Sequence, residues 1–393
     1  MGEPSLKILC TAPYFWPRIG GMENFAFDLV THLHDLFHHE TVTISSSWDR
    51  IARTKSIPGP TQIVQLPFLF KISTTPIGLG WKRKIRRAIQ QFQPDVIISH
   101  TPVPYMADVT AAASIREGVP LVLFYYNDLE PISKFTRTAS IVYQNIWEPN
   151  LLRRATRIVT LSTRYAQESR WLRPYLAKVA TLPPGVDRNR FRPTTPGFLR
   201  HRFRIGDEPL VLFVGQLETA ANHKGIETLF AALRIAAARL QAVHLVVVGK
   251  GSARTALVHL AKRYGLNDRV HFAGFLSARE LPAAYTEATV VVLPSVTRSE
   301  GFGLVLLEAQ ACGTPVIGSA IGGIPDAIDD GVSGLLVSPG NAEALASAIV
   351  TVCDDKNLRN KLGHAGMNFV KLRHSVEAST AIANKLLTDV VSP

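Results

Sequence analysis

Two glutamates, Glu300 and Glu308, stand in the stretch SEGFGLVLLEAQACGTPVIGS, separated only by glycines and apolar residues. Apolar strands and helices seldom carry carboxylates unless these have partners. The preceding ATVVVLPS reads as a buried strand ending at Ser295, and LVLLEAQACG reads as a helix closed by Gly313. A strand, a glycine-rich turn and a helix start together make an anion site. Unpaired backbone N–H groups and the positive end of the helix dipole face the turn. Glu300 lies in that turn, and Glu308 lies about one and a half turns into the helix. A carboxylate beside an anion site repels phosphate but accepts well from sugar hydroxyls, often from two at once. The pair therefore suits a ligand with both phosphate and polyol, a nucleotide sugar. The plainer alternative is a first-turn glutamate complementing the dipole and a solvent-exposed Glu308.

Other stretches point the same way. FVGQLETAANHKGIETLFAAL places a strand, Gly215, a loop and then Lys224-Gly225 at another helix start. A lysine there neutralises a diphosphate and stabilises its charge as it leaves. VVVGKGSAR ends a further strand in Gly249 and Gly251, where backbone can approach closely. Neither a GxGxxG fingerprint nor a P-loop is present. Several glycine-rich strand ends gather on one sheet edge, the place where open α/β sheets bind ligands.

The elements that position these residues follow from the chain's rhythm. LKILCTA, TVTISSS, DVIISH, PLVLFYY and RIVTLS read as strands in the first half. LVLFVG, HLVVVG, RVHFAG, TVVVLPS, TPVIGS and SGLLVS do so in the second. They are continuous apolar runs, as parallel strands buried on both faces require. Helical patterns lie between them. This βαβ alternation occurs twice, which argues for two doubly wound α/β domains. At 393 residues the chain also exceeds what one core organises. PPGVDRNRFRPTTPGFLR is rich in Pro, Gly and Arg and has no apolar period, so it marks a boundary. The expected domains are 1–183 and 206–376 with a linker at 184–205. A last helix, about 377–393, follows no further strand and can pack on either domain.

A hydrophobic fraction of 46% with 8% aromatics indicates a folded chain. The net charge of +12 leaves nucleic acid, an anionic membrane or phosphorylated small substrates as partners, or a diffuse surface with none. The chain shows no zinc finger, RNP-type aromatic motif or helix-turn-helix, which sets nucleic acid aside. GWKRKIRRAIQQF gathers Lys82, Arg83, Lys84, Arg86 and Arg87 around the stripe Trp81, Ile85, Ile89 and Phe92. An apolar stretch expected to be a loop, PFLFKISTTPIGLG, precedes it. A basic amphipathic helix beside an apolar loop suits a peripheral membrane and acceptor face. In the alternative, the stripe packs on the sheet and the charges are solvated. A second basic cluster, RYAQESRWLRPYLAK, adds to a positive first domain. No apolar stretch approaches the roughly 18–20 residues of a membrane span, and MGEPSLKILCTAP does not read as a signal peptide. Cys10, Cys312 and Cys353 are far apart and odd in number, giving neither metal spacing nor a disulfide framework. The expected location is cytoplasmic, with peripheral attachment at the inner face of the membrane left open.

Taken together, the Glu300–Glu308 segment, the strand-loop-Lys-Gly segment and AGFLSARELPAAYTEATVVVLPS resemble the retaining glycosyltransferases of family 4 (glycosyl transferase group 1). APYFWPRIGGMENFAFDLVTHL, QPDVIISHTPVP and LPPGVDRNRFRP extend the resemblance over essentially the whole chain. It implies the GT-B architecture, two Rossmann-like domains whose parallel sheets face across a cleft, with the last helix returning to the first domain. It implies that Gly20 and Gly21 face the donor phosphates. Glu300 would hold donor-sugar hydroxyls, with the backbone of Phe302, Gly303 and Leu304 close by, and Glu308 the ribose. Lys224 would bind the diphosphate, Gly215 and Gly249 would border the donor, and Phe275 with Leu276 would line the base pocket. Transfer would retain the anomeric configuration, with no cofactor and no metal in the chemical step. The partners would be a UDP- or GDP-sugar and a sugar or lipid-linked acceptor. Two departures stand out. Gln216 replaces the usual Arg, so leaving-group stabilisation rests more on Lys224. Tyr126 replaces a frequent His, and a phenol of pKa near 10 is a poor base at neutral pH; Asn127 and Asp128 follow and can take part of its role. A glycoside phosphorylase of the same architecture, or a donor-binding but inactive protein, are the alternatives. Glu308 speaks against the first, since a phosphorylase has no ribose to hold.

Overall fold

The computed structural model describes residues 5–392 except 19, 48–52, 57–60, 130–133, 196, 219–223 and 241. The chain divides into two compact units, Met1–Pro184 with Val376–Pro393, and Gly185–Ser375.

The first unit carries β1 (Lys7–Ala12), β2 (Glu40–Ser46), β3 (Arg53–Ser56), β4 (Thr61–Leu66), β5 (Phe70–Ile72) and β6 (Thr75–Ile77). It continues with β7 (Val96–Thr101), β8 (Leu121–Tyr125), β9 (Arg157–Thr160) and β10 (Val179–Thr181). Its main sheet runs in the order β10-β9-β8-β7-β1-β2-β4-β3 and is parallel apart from the β3–β4 edge pair. Helices α1 (Gly21–Phe37), α2 (Trp81–Phe92), α3 (Met106–Glu117), α4 (Lys134–Ile146), α5 (Glu148–Arg154) and α6 (Thr163–Glu168) complete it. Ile8, Leu9, Ile97, Ile98, Val122 and Leu123 are fully buried, as adjoining apolar strands covered on both faces must be.

The second unit carries β11 (Leu210–Val214), β12 (His244–Val248), β13 (Val270–Gly274), β14 (Val290–Leu293), β15 (Val316–Ser319) and β16 (Leu335–Val337). These form a fully parallel sheet in the order β13-β12-β11-β14-β15-β16. Its helices are α7 (Phe198–Phe203), α8 (Ile226–Ala236), α9 (Arg254–Arg263), α10 (Glu280–Glu287), α11 (Leu304–Ala311), α12 (Ala342–Asp354) and α13 (Lys356–Arg373). The last helix, α14 (Val376–Val391), belongs to the first unit and packs on α1.

Both sheets reverse their winding at one point, between β1 and β7 in the first unit and between β11 and β14 in the second. Connections leave such a point in opposite directions and open a crevice at the carboxyl ends of the strands.

Three local expectations change. PFLFKISTTPIGLG is no loop: β5 and β6 pair antiparallel from Phe70–Ile77 to Ile72–Thr75. The stretch expected as a linker contains α7, whose first N–H groups, at Leu199 and Arg200, donate to the Glu287 carboxylate at 3.0 and 2.5 Å. Trp81 does not face outward. It is wholly buried, as are Ile85 and, nearly, Ile89, and its indole N–H donates to the Pro67 carbonyl at 2.7 Å. The helical period correctly marks an apolar face, and here the sheet covers it.

Candidate active site

In the second unit the winding reversal sets the loops after β11 and β14 side by side. This joins residues 76 positions apart: Lys224 Nζ lies 2.7 Å from Glu300 Oε2. The side chains are only 17% and 13% exposed, so the pair forms largely away from water. Tight backbone contacts fix both loops. Gly225, in the left-handed region, passes so close to Pro294 that a Cβ would lie 1.9 Å from that carbonyl oxygen. Gly323 packs equally closely on the Gly301 carbonyl and donates its N–H to the Glu300 carbonyl at 3.2 Å. The helices that follow, α8 after Gly225 and α11 after Gly303, have no side-chain cap at their N-termini. Among the described residues no side chain takes the leading N–H groups of either helix, a setting suited to an anionic ligand; the Leu306 N–H of α11 bonds back to the Gly303 carbonyl at 2.8 Å.

Glu308 is half-buried rather than exposed, and the hydroxyl of Tyr285 donates to its Oε2 at 2.6 Å. Tyr285 is fully buried. Burial, with the Glu308 charge beside it, holds its phenol well above the ordinary range, so it remains a donor. Phe302 is buried against the ring edge of His374, 5.6 Å between centroids, and Leu304 opens α11 directly behind Gly303. Gly215 and Gly249 end β11 and β12 and are tied into the sheet, Gly215 N–H to Val248 O at 3.0 Å and Gly249 N–H to Gly274 O at 2.8 Å. Gln216 is exposed. Leu276 is buried, whereas the Phe275 ring is 47% exposed with Lys250 Nζ 5.3 Å from its centroid. That face offers an apolar plane and a cation together.

In the first unit the corresponding crevice lies at the ends of β1, β7 and β8. Gly20 caps α1 and Gly21 is its first residue, again with no side-chain cap. Glu23, one turn in, is buried beneath Gly20 and sits 3.4 Å from Arg18 Nε. Burial raises the Glu23 carboxyl, while its own backbone N–H and Arg18 act in the opposite direction. The Tyr126 hydroxyl is directed inward, 2.7 Å from Nδ1 of fully buried His100, and the two rings stack at 5.7 Å. Burial lowers His100 to about 3, so it is a neutral partner; its Nε2 lies 3.4 Å from Cys10 Sγ. Asp128 is equally engaged: its Oδ1 accepts from Tyr125 Oη at 2.9 Å and from Ser169 Oγ at 2.6 Å. Asn127 donates through Nδ2 to the Asp128 carbonyl at 3.3 Å.

On α2, Lys82, Arg83, Lys84 and Arg87 are exposed, while Arg86 is bonded to Glu117. Trp81 is removed from this face by its burial. Its place is taken by Leu69, Phe70, Ile72 and Leu79 on and around the β5–β6 hairpin, 49%, 48%, 49% and 77% exposed. No described helix is long and apolar enough to cross a membrane.

Tyr285, His100, Glu23 and Arg18 emerge only from the structure. Each lies inside a segment that reads as ordinary helix, strand or turn, and the partners of Tyr285 and His100 are 23 and 26 positions away.

Comparison with known proteins identifies the family and the fold. The model described as "Glycosyl transferases group 1" matches residues 198–369, and "Glycosyltransferase Family 4" matches residues 19–190. A GDP-mannose-dependent alpha-(1-6)-phosphatidylinositol monomannoside mannosyltransferase of Mycobacterium tuberculosis is 35% identical over 379 residues, covering 93% of each chain. Sucrose-phosphate synthase from Thermosynechococcus elongatus superimposes with a TM-score of 0.78 at 22% identity, covering 98% of this chain and 99% of that one. Anabaena HepE in complex with UDP does so with 0.75 at 22% identity, covering 98% and 100%. Both structures share the GT-B fold, and with a relative this similar over nearly its whole length the chain belongs to glycosyltransferase family 4.

Proposed function

We propose that this glycosyltransferase moves a hexosyl group, with retention of anomeric configuration, from a GDP- or UDP-sugar to a hydroxyl of a lipid-linked or cell-envelope acceptor at a membrane surface. GDP-mannose is the first donor to test, because the mycobacterial relative is named for it and for a phosphatidylinositol mannoside acceptor. The observation that carries the reading is the Lys224–Glu300 pair, 2.7 Å apart between two uncapped helix starts. A donor separates the pair: its diphosphate takes Lys224 and the helix N–H groups, and its sugar hydroxyls take Glu300. Glu308, held by Tyr285, remains as the acceptor for ribose hydroxyls, which favours a nucleotide over the free phosphate of a phosphorylase.

In the chemical step the bond from the anomeric carbon to the diphosphate oxygen breaks, and its electron pair leaves with the diphosphate. The acceptor oxygen bonds to the same face of the anomeric carbon, and its proton passes to the departing phosphate oxygen. Lys224 and the oriented N–H groups stabilise charge where it develops, the task a metal performs elsewhere, so transfer should persist in EDTA. The exposed apolar hairpin beside Lys82, Arg83, Lys84 and Arg87 supplies the membrane-facing part of this reading.

The test is nucleotide release across UDP-, GDP- and ADP-sugars, with and without lipid extract, alongside thermal shifts for binding. One stabilising donor with lipid-stimulated release supports the proposal. Binding without release under any acceptor favours the inactive reading, and release that depends on inorganic phosphate favours a phosphorylase.

A further inference from the structure

The turn that follows β8, residues 126–128, rests on a cluster of buried acids and phenols in the first unit. Tyr125 places its hydroxyl between two carboxyl groups, 2.9 Å from Asp128 Oδ1 and 2.9 Å from Glu148 Oε1. A phenol has one proton to donate, so it can bond as a donor to only one of them. The second short contact needs a proton from a carboxylic acid. The two candidates differ in their surroundings. Asp128 Oδ1 also accepts from Ser169 Oγ at 2.6 Å, an environment suited to an ionised oxygen. Glu148 is 4% exposed, and its Oε2 is buried without a hydrogen-bond partner among the described residues. A neutral acid tolerates that far better than a carboxylate does.

We propose that Glu148 is held as a neutral carboxylic acid that donates to the Tyr125 oxygen while Tyr125 donates to Asp128, and that this chain positions the 126–128 turn. Glu148 is thus a positioning residue acting through Tyr125 and Asp128, and its effect on turnover rests on the reading that this turn borders the substrate.

The groups around it favour the neutral form. Asp108 comes from α3, with the Tyr143 hydroxyl of α4 at 3.1 and 3.3 Å from its two oxygens. Tyr165 and Ser169 come from α6 and its end, and Arg170 and Arg154 stand as the nearby cations. Burial pushes the Glu148 carboxyl up to about 7; the Tyr125 bond opposes this, Asp128 and Asp108 add to it, and Arg170 opposes it. As pH rises through about 7, loss of the proton leaves two carboxylates facing one phenolic proton. The folded value lies above the ordinary 4.5, so the contribution to stability is complete below about 4.5 and is lost as pH rises through 7.

Glu148→Gln tests this in the full chain, because its amide N–H₂ donates to Tyr125 at every pH. Thermal midpoints of wild type and variant are compared from pH 5 to 8.5, with steady-state sugar transfer over the same range. The variant-minus-wild-type midpoint should rise by several degrees toward high pH, and the variant should lack an alkaline decline in kcat centred near pH 7 in the wild type. A midpoint difference that is flat with pH overturns the neutral acid. Identical alkaline limbs in the two enzymes overturn the positioning role. Absence of transfer by the wild type with every donor would instead undo the proposed function, and the midpoint comparison would still decide Glu148.

Discussion

Lys224 and Glu300 form an ion pair in a largely dehydrated turn, so truncating either leaves a poorly solvated charge as well as an empty ligand contact. Glu300→Gln keeps the shape and removes the charge. It should lower kcat at least tenfold at saturating donor while leaving the thermal midpoint within a few degrees; near-normal turnover would remove Glu300 from the mechanism. Tyr285→Phe deletes the 2.6 Å bond to Glu308 and little else. A bond worth about 1.5 kcal/mol or more when its acceptor is charged translates into a rise of roughly tenfold in donor KM, with kcat changed much less. Equal falls in kcat and kcat/KM would instead place Tyr285 in the reacting centre. Glu300, Glu308 and Lys224 are legible in the sequence because charge among glycines and apolar residues has few structural uses. Tyr285 is not, since its partner is 23 positions away and one tyrosine in an amphipathic helix looks like any core residue. Tyr126 shows the converse: its position at a strand end is readable, but the turn of its hydroxyl toward His100 depends on a strand 26 positions distant.

At the scale of elements, apolar periodicity marks a face without saying what covers it. Trp81, Ile85 and Ile89 repeat as a membrane-seeking helix would, yet they fill the core of the first unit. The hydrophobic residues left outside belong to the β5–β6 hairpin and its exit, a pair of three-residue strands too short to show an alternating pattern. Strands β3, β4 and β10 escape notice for related reasons, being edge elements or short polar-alternating runs beside longer apolar ones. The hairpin and the exposed cations of α2 make separable contributions to lipid binding. Neutralising Lys82, Arg83, Lys84 and Arg87 together should weaken binding to anionic vesicles and remove most of its salt dependence. Phe70→Ser with Leu79→Ser should weaken binding at all salt concentrations and leave the slope against salt unchanged. Co-sedimentation with phosphatidylserine vesicles at low and moderate salt measures both, and binding unaffected by either set would discard this face.

For the whole molecule, the crossing of the chain between units determines which mutations act where. The polypeptide enters the second unit at Gly185 and leaves it at Ser375, and a parallel bridge pairs Val186 with Ser375. Helix α14 then completes the first unit, burying Ala383 and Leu387 and joining the α1–β2 connection through Asn384, whose Oδ1 accepts from His39 Nε2 at 2.7 Å. Leu6 N–H donates to the other ring nitrogen at 3.1 Å, which fixes the tautomer. The apolar contribution is the larger: Leu387→Ala should cost about 2–5 kcal/mol, and Asn384→Leu about 1–3 kcal/mol by taking a buried N–H's acceptor away. All five tryptophans, at positions 16, 48, 81, 147 and 171, lie in the first unit, so tryptophan fluorescence during urea unfolding reports that unit alone. Both substitutions should move the fluorescence transition to lower urea, although they lie near the far end of the sequence. The affinity of the native protein for nucleotide, governed in the proposed reading by residues 215–308, should change little. A fluorescence transition that stays in place would mean that α14 is not integral to the first unit, and that the packing on α1 contributes little to its stability.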